Sequence, residues 1–235
     1  MISAEIYEVG GPNLPEISAT YRHWSADQLT GRPEGLSFGI FQGLDLGNYP
    51  YIFPESELES LAADQALNAF SRISVDTAHP IAFARTLGDT TDYAIRSLNR
   101  SLKEVLPRSD YRPAKYAGAI GALGIVGSNT LNFIQINECG ITVVDRYGGL
   151  RLDAFPLSER GRNEEVVFGN IDRFKVNSRR LEPGDVIMAY TRDMASTVHT
   201  KAFCDLVTCG EDITLAMAEE TEGQGSIIVI RDSHD

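Results

Sequence analysis

The chain has 235 residues, of which 43% are hydrophobic and 23% are charged, a composition typical of a soluble globular protein. A single domain over residues 1–235 is expected, because a chain of this length builds one sizeable core. The formal net charge of −12 argues against nonspecific binding to nucleic acid or to an anionic membrane, since both require a basic surface. The sequence contains no secretory signal and no apolar run long enough to span a bilayer, which predicts a cytoplasmic location.

Apolar runs and turn signals divide the N-terminal half into strands followed by helices. Alternating or β-branched residues predict strands at 2–9, 17–24 and 35–47, the last of which breaks into a glycine-rich loop. Apolar residues at helical spacing predict helices at 56–71, 80–87 and 89–106. The order is therefore three strands and then a helical region.

The C-terminal half is predicted to consist mainly of strands, with two helices before the last strand. Strands are predicted at 117–126, 130–136, 140–145, 186–190 and 225–231. Glycine, asparagine and serine predict turns at 127–129 and 137–139, and a polar stretch predicts a solvated loop at 152–170. Two further helices are predicted at 200–208 and 212–222.

The residues on either side of the apolar strand at 186–190 are the most informative about the protein's family. It follows the turn at 183–185 and leads into Thr191-Arg192-Asp193-Met194. This stretch resembles a motif of the type 2C metal-dependent protein phosphatases, in which a Gly-Asp turn leads into an apolar strand that ends Ser-Asp-Gly-Leu. Alignment from the Gly-Asp turn places Arg192 at the metal-binding Asp of that motif and Asp193 at the Gly after it.

Three other segments resemble motifs of the same family. The stretch at 35–47 is similar to Phe-x-Val-x-Asp-Gly-x-Gly-Gly, with Gln42 at the bridging Asp, Gly43 at the next Gly and Asp45 at the middle Gly. Asp27, after the second strand, is aligned with the Asp of an acidic Asn-Glu-Asp segment. Gly225-Ser226 takes the place of an Asp-Asn pair whose Asp binds metal.

The resemblance covers nearly the whole chain and implies its fold class. The expected class is α+β, with two packed antiparallel β-sheets flanked by helices in an α/β/β/α sandwich. The resemblance also implies a pocket at the former metal site, formed by Asp27, Gln42, Gly43, Asp45, Arg192, Asp193, Gly225 and Ser226.

The ligand count predicts the chemistry of that pocket. Phosphatases of this family activate water with two divalent cations held by carboxylates, and Mg²⁺ or Mn²⁺ requires such charged oxygen ligands. Of the four aligned carboxylate positions only Asp27 keeps its charge. We therefore expect no catalytic residue and no metal cofactor. Arg192 either replaces a metal by pairing with Asp27 or Asp45, or points to solvent in a decayed site.

The resemblance thus implies a catalytically inactive, phosphatase-like binding or regulatory module in phosphorylation signalling. Its partner would be a kinase, an active phosphatase or a phosphoprotein. The alternative is an active serine/threonine phosphatase with a reorganised Mn²⁺ or Mg²⁺ site that uses Asp45 and Asp193 as shifted ligands. A third possibility is a structural subunit of a larger assembly.

Other candidate motifs indicate structural roles. The three cysteines lack a CxxC pair, which indicates buried or idle thiols. No histidine pair has the HExxH spacing, and no serine lies in a Gly-x-Ser-x-Gly elbow. Glycines recur at 118, 121, 124 and 127 without the context of a dinucleotide loop, and this predicts close strand packing.

Overall fold

The computed structural model of the protein describes residues 2–10, 17–29, 34–45, 100, 117–136, 139–154, 177–220 and 225–232. The helices predicted at 56–71 and 80–87 lie outside these residues. The helix predicted at 89–106 is described at residue 100 alone, which is helical.

Ten antiparallel strands form two sheets of five strands each among the described residues. Sheet A has the order β1-β10-β9-β6-β7 and sheet B the order β2-β3-β4-β5-β8. The strands are β1 (Ile2–Val9), β2 (Ile17–Trp24), β3 (Gly35–Asp45), β4 (Ala117–Gly127), β5 (Thr130–Ile136), β6 (Gly140–Val144), β7 (Leu150–Ala154), β8 (Asn177–Arg180), β9 (Val186–Tyr190) and β10 (Gly225–Asp232). The expected pair of packed antiparallel sheets is confirmed.

Three short helices follow β9. They are α1 (Ala195–Val198), α2 (Lys201–Cys209) and α3 (Thr214–Glu220), and a 3₁₀ turn at Arg192–Met194 precedes them. Thr200 caps α2, with its Oγ1 accepting a hydrogen bond from the Phe203 N–H at 3.2 Å, and Gly210 ends α2 in the left-handed conformation. The helices predicted at 200–208 and 212–222 are confirmed to within two residues at the described ends.

The central strands of sheet A are apolar on both faces because each face meets a different layer. Ile187 and Ala189 of β9 pack in the core between the sheets, whereas Val186, Met188 and Tyr190 pack in a second core with the helices. Strand β10 divides its side chains in the same way. This two-sided burial explains why both strands read as continuous apolar runs rather than alternating ones.

Cross-strand pairs of glycine and an aromatic ring recur in both sheets. Gly121 faces Phe41 and Gly124 faces Phe38 between β3 and β4, and a Cβ at Gly124 would lie 2.6 Å from Cζ of Phe38. Gly140 lies beneath the ring of Tyr190 between β6 and β9. The predicted role of the glycines in close strand packing is thus confirmed at positions 121 and 124.

Tight turns join two pairs of neighbouring strands, and the first of them lies at the predicted 127–129 turn. Ser128 and Asn129, both with positive φ, form the two-residue turn between β4 and β5, as in hairpins of type I′. Asp145 closes the turn between β6 and β7, where its Oδ1 accepts hydrogen bonds from the N–H groups of Gly149 and Tyr147, each at 2.8 Å. These two donors, Gly149 first, hold the pKa of Asp145 below its usual value.

One predicted loop boundary is wrong, and the position of a second is narrowed. The loop expected at 152–170 begins too early, because residues up to Ala154 belong to β7, which lies at the end of sheet A; residues 155–170 lie outside the described residues. The break expected in 35–47 does not occur before Asp45, since β3 pairs with β4 as far as Asp45 opposite Ala117. Gln42, Gly43 and Asp45 are therefore strand residues.

Candidate functional site

Strand register and chain connections define two ends of the sandwich. We call the end with Gly35, Gly127 and Val186 the hairpin end, and the end with Gln42, Tyr190 and Gly225 the site end. The N–H of Ile2, at the start of β1, donates to Oε1 of Glu34 at 3.1 Å, which ties the two sheets together at the hairpin end.

The connection between β5 and β6 aligns the site end of the two sheets. Ile136 ends β5 beside Gly121 of β4, four residues before Gly140, which pairs with Tyr190. A connection this short spans at most roughly 14 Å, at up to about 3.6 Å per residue. The part of β3 beside Gln42 and the end of β9 therefore share one end of the sandwich.

Seven of the eight predicted pocket residues lie on segments at the site end. On sheet B these are Gln42 and Gly43, with Asp45 further along the same strand; on sheet A they belong to the end of β9 and the start of β10. The eighth residue, Asp27, does not join them.

Asp27 lies at the hairpin end. It follows Trp24, which pairs with Gly35, whereas Gln42 pairs with Ile17 at the other end of β2, roughly 23 Å away at about 3.3 Å per residue. Its Oδ1 accepts the N–H of Leu29 at 3.0 Å within a local turn. The grouping of Asp27 with Gln42, and its proposed pairing with Arg192, are therefore wrong. The segment that enters the site end beside Gln42 is the one before β2, and residues 11–16 of it lie outside the described residues.

Backbone and hydroxyl groups hold β9 and β10 together at the site end. The N–H of Thr191 donates to the carbonyl of Ser226 at 3.1 Å, and the N–H of Ser226 donates to Thr191 Oγ1 at 3.1 Å. The Thr191 hydroxyl also donates to the Ser226 carbonyl at 3.4 Å. Thr191 therefore extends the strand pairing beyond Tyr190.

The 3₁₀ turn after Thr191 separates charged from apolar side chains. Arg192 and Asp193 are exposed, whereas Met194 is completely buried. Met194 packs against Gly225, where an added Cβ would lie 2.6 Å from its Sδ. The place of the family's Asp at position 225 is thus taken by a thioether.

Two buried oxygens at the site end accept no hydrogen bond among the described residues. They are Oε1 of Gln42 and Oγ of Ser226. A neutral amide and a hydroxyl do not bring the negative charge that a pair of hard divalent cations requires. In the described part of the chain, no group of three or more histidine, cysteine, aspartate or glutamate residues is placed to hold a metal ion. The described residues therefore do not fit the binuclear centre that the fold family implies.

Sequence reasoning missed a polar cluster between β6, β9 and α1. The Tyr190 hydroxyl lies 3.2 Å from Thr142 Oγ1 and 3.1 Å from Nε2 of His199. His199 also lines a hollow of about 320 Å³ beside the turn at Asp145. Burial raises the pKa of the neighbouring Cys204 thiol, which donates to the Val198 carbonyl, so this thiol is not activated as a nucleophile.

The arrangement of sheets and helices places the chain in a known structural class. It has the fold of the type 2C protein phosphatases, as solved structures of such enzymes cover nearly its whole length. At 9–15% identity, this similarity establishes the fold alone. No family model matches the sequence, and no curated protein matches it significantly.

Three solved structures illustrate the similarity. The catalytic domain of the serine/threonine phosphatase PstP with two manganese ions superposes with a TM-score of 0.61 at 10% identity, covering 98% of this chain and 97% of that one. PppA, described as a key regulatory component of T6SS in Pseudomonas aeruginosa, gives 0.58 at 12% identity with the same coverages. The serine-threonine phosphatase 2C of Toxoplasma gondii gives 0.56 at 15% identity, covering 97% of this chain and 94% of that one.

No helix in the described part of the chain is both long and apolar enough to cross a membrane.

Proposed function

We propose that the chain is a phosphatase-like domain without binuclear metal catalysis that acts as a binding or regulatory module in phosphorylation signalling. The observation that carries this proposal is the replacement of the bridging carboxylate by Gln42, whose buried Oε1 has no hydrogen-bond partner among the described residues. An Asp at this position would hold two cations in an active enzyme of this fold, whereas an amide cannot bridge them well.

The rest of the site end supports the same proposal. The one carboxylate that the alignment retained, Asp27, follows the far end of β2. Arg192 brings a positive charge to the turn after β9, and Met194 fills the space beside Gly225. A cation at this end would meet a guanidinium and a thioether where the family presents oxygen ligands.

The competing proposal is an active metal-dependent serine/threonine phosphatase with a reorganised site for Mn²⁺ or Mg²⁺. The location of Asp45 and the exposed Asp193 at the site end favours it, because both are carboxylates on segments that converge there. It requires ligation of a single metal by residues other than those that the family uses.

Metal titration separates the two proposals. Chelator-treated protein is titrated calorimetrically with Mn²⁺ and with Mg²⁺, and hydrolysis of an aryl phosphate is followed in the same samples. We expect no saturable heat and no turnover. Saturable Mn²⁺ binding at micromolar concentration together with turnover would instead establish the active enzyme, and its loss in Asp45→Asn or Asp193→Asn would identify the ligands.

A variant with added negative charge at the candidate metal site is compared with the natural protein. The double change Gln42→Asp, Arg192→Asp adds two carboxylates and removes one cation. We expect this variant to bind Mn²⁺ more tightly than the natural protein. Equal heats from both proteins would show that the two positions do not define the metal site.

The partner under this proposal is a kinase, an active phosphatase or a phosphoprotein in the cytoplasm. A purely structural subunit would instead form a stable oligomer through an apolar surface. Light scattering of the purified chain distinguishes the two roles, because a transient binding module is expected to be monomeric at micromolar concentration.

A further inference from the structure

A basic cleft opens at the hairpin end, away from the former metal site. Its volume is about 570 Å³, and it lies between β7, at the edge of sheet A, and β8, at the edge of sheet B. The residues that line it are Asn129, Arg151, Arg179, Arg180, Leu181, Glu182 and Pro183.

One arginine of the cleft is fixed in place by two carboxylates. Nη1 of Arg151 donates to both oxygens of the buried Asp185, at 3.0 and 2.9 Å, and its Nη2 donates to Oε1 of Glu182 at 2.7 Å. Asp185 also accepts the N–H of Glu182 at 2.8 Å, which fixes the turn. These contacts, the hydrogen bond to Asp185 first, raise the pKa of Arg151. The side chain of Arg151 is therefore held in a fixed position at one side of the cleft. Its positive charge is compensated by the two carboxylates.

The other two arginines of the cleft differ from Arg151 in their surroundings. Arg179 and Arg180 are exposed on β8, and neither forms an ion pair with a carboxylate among the described residues. Among the described residues, Nη2 of Arg179 donates to the backbone carbonyl of Arg151, at 3.5 Å. The chain has 33 acidic residues and a net charge of −12, so two adjacent arginines that have no carboxylate partner in the described part of the chain are available to a ligand of opposite charge.

We propose that this cleft binds a phosphorylated segment of a partner protein. A guanidinium matches phosphate oxygens through paired hydrogen bonds, and arginine clusters recognise phosphorylated peptides for that reason. Strand β8 is the outermost strand of sheet B among the described residues, so its backbone suits an extended peptide lying alongside it. Arg179 binds the phosphate from the side of Arg151, and Arg180 attracts acidic residues that flank it. This proposal holds whether or not the site end is catalytic.

Fluorescence anisotropy of labelled peptides tests the proposal. The probe is a fluorescein-labelled peptide of sequence Gly-Glu-Ala-phosphoserine-Ala-Glu-Gly, compared with the same peptide containing serine. We expect the phosphorylated peptide to bind at least about tenfold more tightly, because hydrogen bonds to a charged group are stronger than those to a neutral hydroxyl. Equal binding of the two peptides, or no binding of either, would overturn the proposal.

Matched arginine variants locate the site. The double change Arg179→Ala, Arg180→Ala is expected to lower affinity for the phosphopeptide by about tenfold or more. The control is Arg22→Ala, which removes an exposed arginine from β2, the strand at the other edge of sheet B. Charges on edge strands also prevent aggregation, and that role predicts faster aggregation of both variants with no change in peptide binding. An equal loss of affinity in both variants would overturn the proposed location.

Competition with inorganic phosphate separates a peptide site from a free-anion site. We expect displacement of the phosphopeptide only at phosphate concentrations far above the peptide Kd, because the strand and Arg180 contribute to peptide binding. Displacement of the phosphopeptide by inorganic phosphate at a concentration equal to the Kd of the phosphopeptide would show that the cleft binds the free ion. The peptide proposal would then fail. Aryl phosphate hydrolysis, measured on the same samples, reports separately on the site end.

Discussion

The substitution Gly124→Ala tests the packing of glycine against aromatic rings. The new Cβ would lie 2.6 Å from Cζ of Phe38, 2.9 Å from its Cε1 and 3.0 Å from the carbonyl oxygen of Asn132. Carbon atoms in contact normally lie about 3.5–4.0 Å apart, so the buried ring must retreat by about 1 Å. Overpacking of this kind costs about 1–3 kcal/mol, and the reduced entropy of the unfolded chain offsets about 0.4–1 kcal/mol. We expect a net loss of about 1–2 kcal/mol of unfolding free energy.

Gly127→Ala is the matched control on the same strand. A Cβ at Gly127 meets only the carbonyl oxygen of Glu34, at 3.8 Å, which is an ordinary contact. We expect this variant to unfold at an equal or higher urea concentration than the natural protein, with an unchanged m-value. Combining Gly124→Ala with Phe38→Leu should cost at least about 1 kcal/mol less than the sum of the single changes, because the smaller side chain makes room. Equal stability of Gly124→Ala and Gly127→Ala, or additive effects in the double variant, would refute the packing argument.

Three further predictions concern a buried amide, an acid-sensitive contact and the thiols. Gln42→Met should raise the unfolding free energy by up to about 1 kcal/mol in urea titration, because it removes a buried acceptor that has no partner among the described residues; a clear loss would show that the amide is satisfied. The pKa of Glu34 is lowered, first by its hydrogen bond with His23, so its contribution to stability is complete above its usual value of 4.5 and is lost as pH falls through the lowered value. The difference in urea midpoint between Glu34→Gln and the natural protein should therefore be full at pH 6 and shrink as pH falls below 4.5; a constant difference would contradict this. A thiol reagent should modify one cysteine rapidly in the native state, the exposed Cys209, and all three after unfolding; rapid modification of more than one would contradict the burial of the other two.

The strands were predictable where burial leaves a clear signal in the sequence. The run Val186–Tyr190 is apolar because both of its faces are covered, and it was placed without error. Strand β8, by contrast, consists of Asn177, Ser178 and two arginines, three of its four residues being exposed. An edge strand of this kind has no apolar pattern, so its pairing with β5 emerges only from the structure.

The sequence predicted which segments form the candidate site, but it did not predict correctly which residues lie close to one another there. Alignment by motif assigned Gln42, Arg192 and Gly225 to one site, and their segments lie at one end of the sandwich: Gln42 is within β3, Arg192 follows β9 and Gly225 begins β10. It also assigned Asp27 to that end, although β2 runs antiparallel to β3 and leads away from it. The cleft around Arg151 was missed because its residues lie far apart in the chain and are brought together by the edges of two sheets.

The contact between Met194 and Gly225 limits the order in which this site can change during evolution. Any larger residue at position 225 meets Sδ of Met194, so Gly225→Asp alone would introduce a buried carboxylate together with a steric clash. A lineage that acquired an acidic residue there would first need a smaller residue at position 194. Among homologues of this chain, we therefore expect residues larger than glycine at position 225 to occur together with side chains smaller than methionine at position 194.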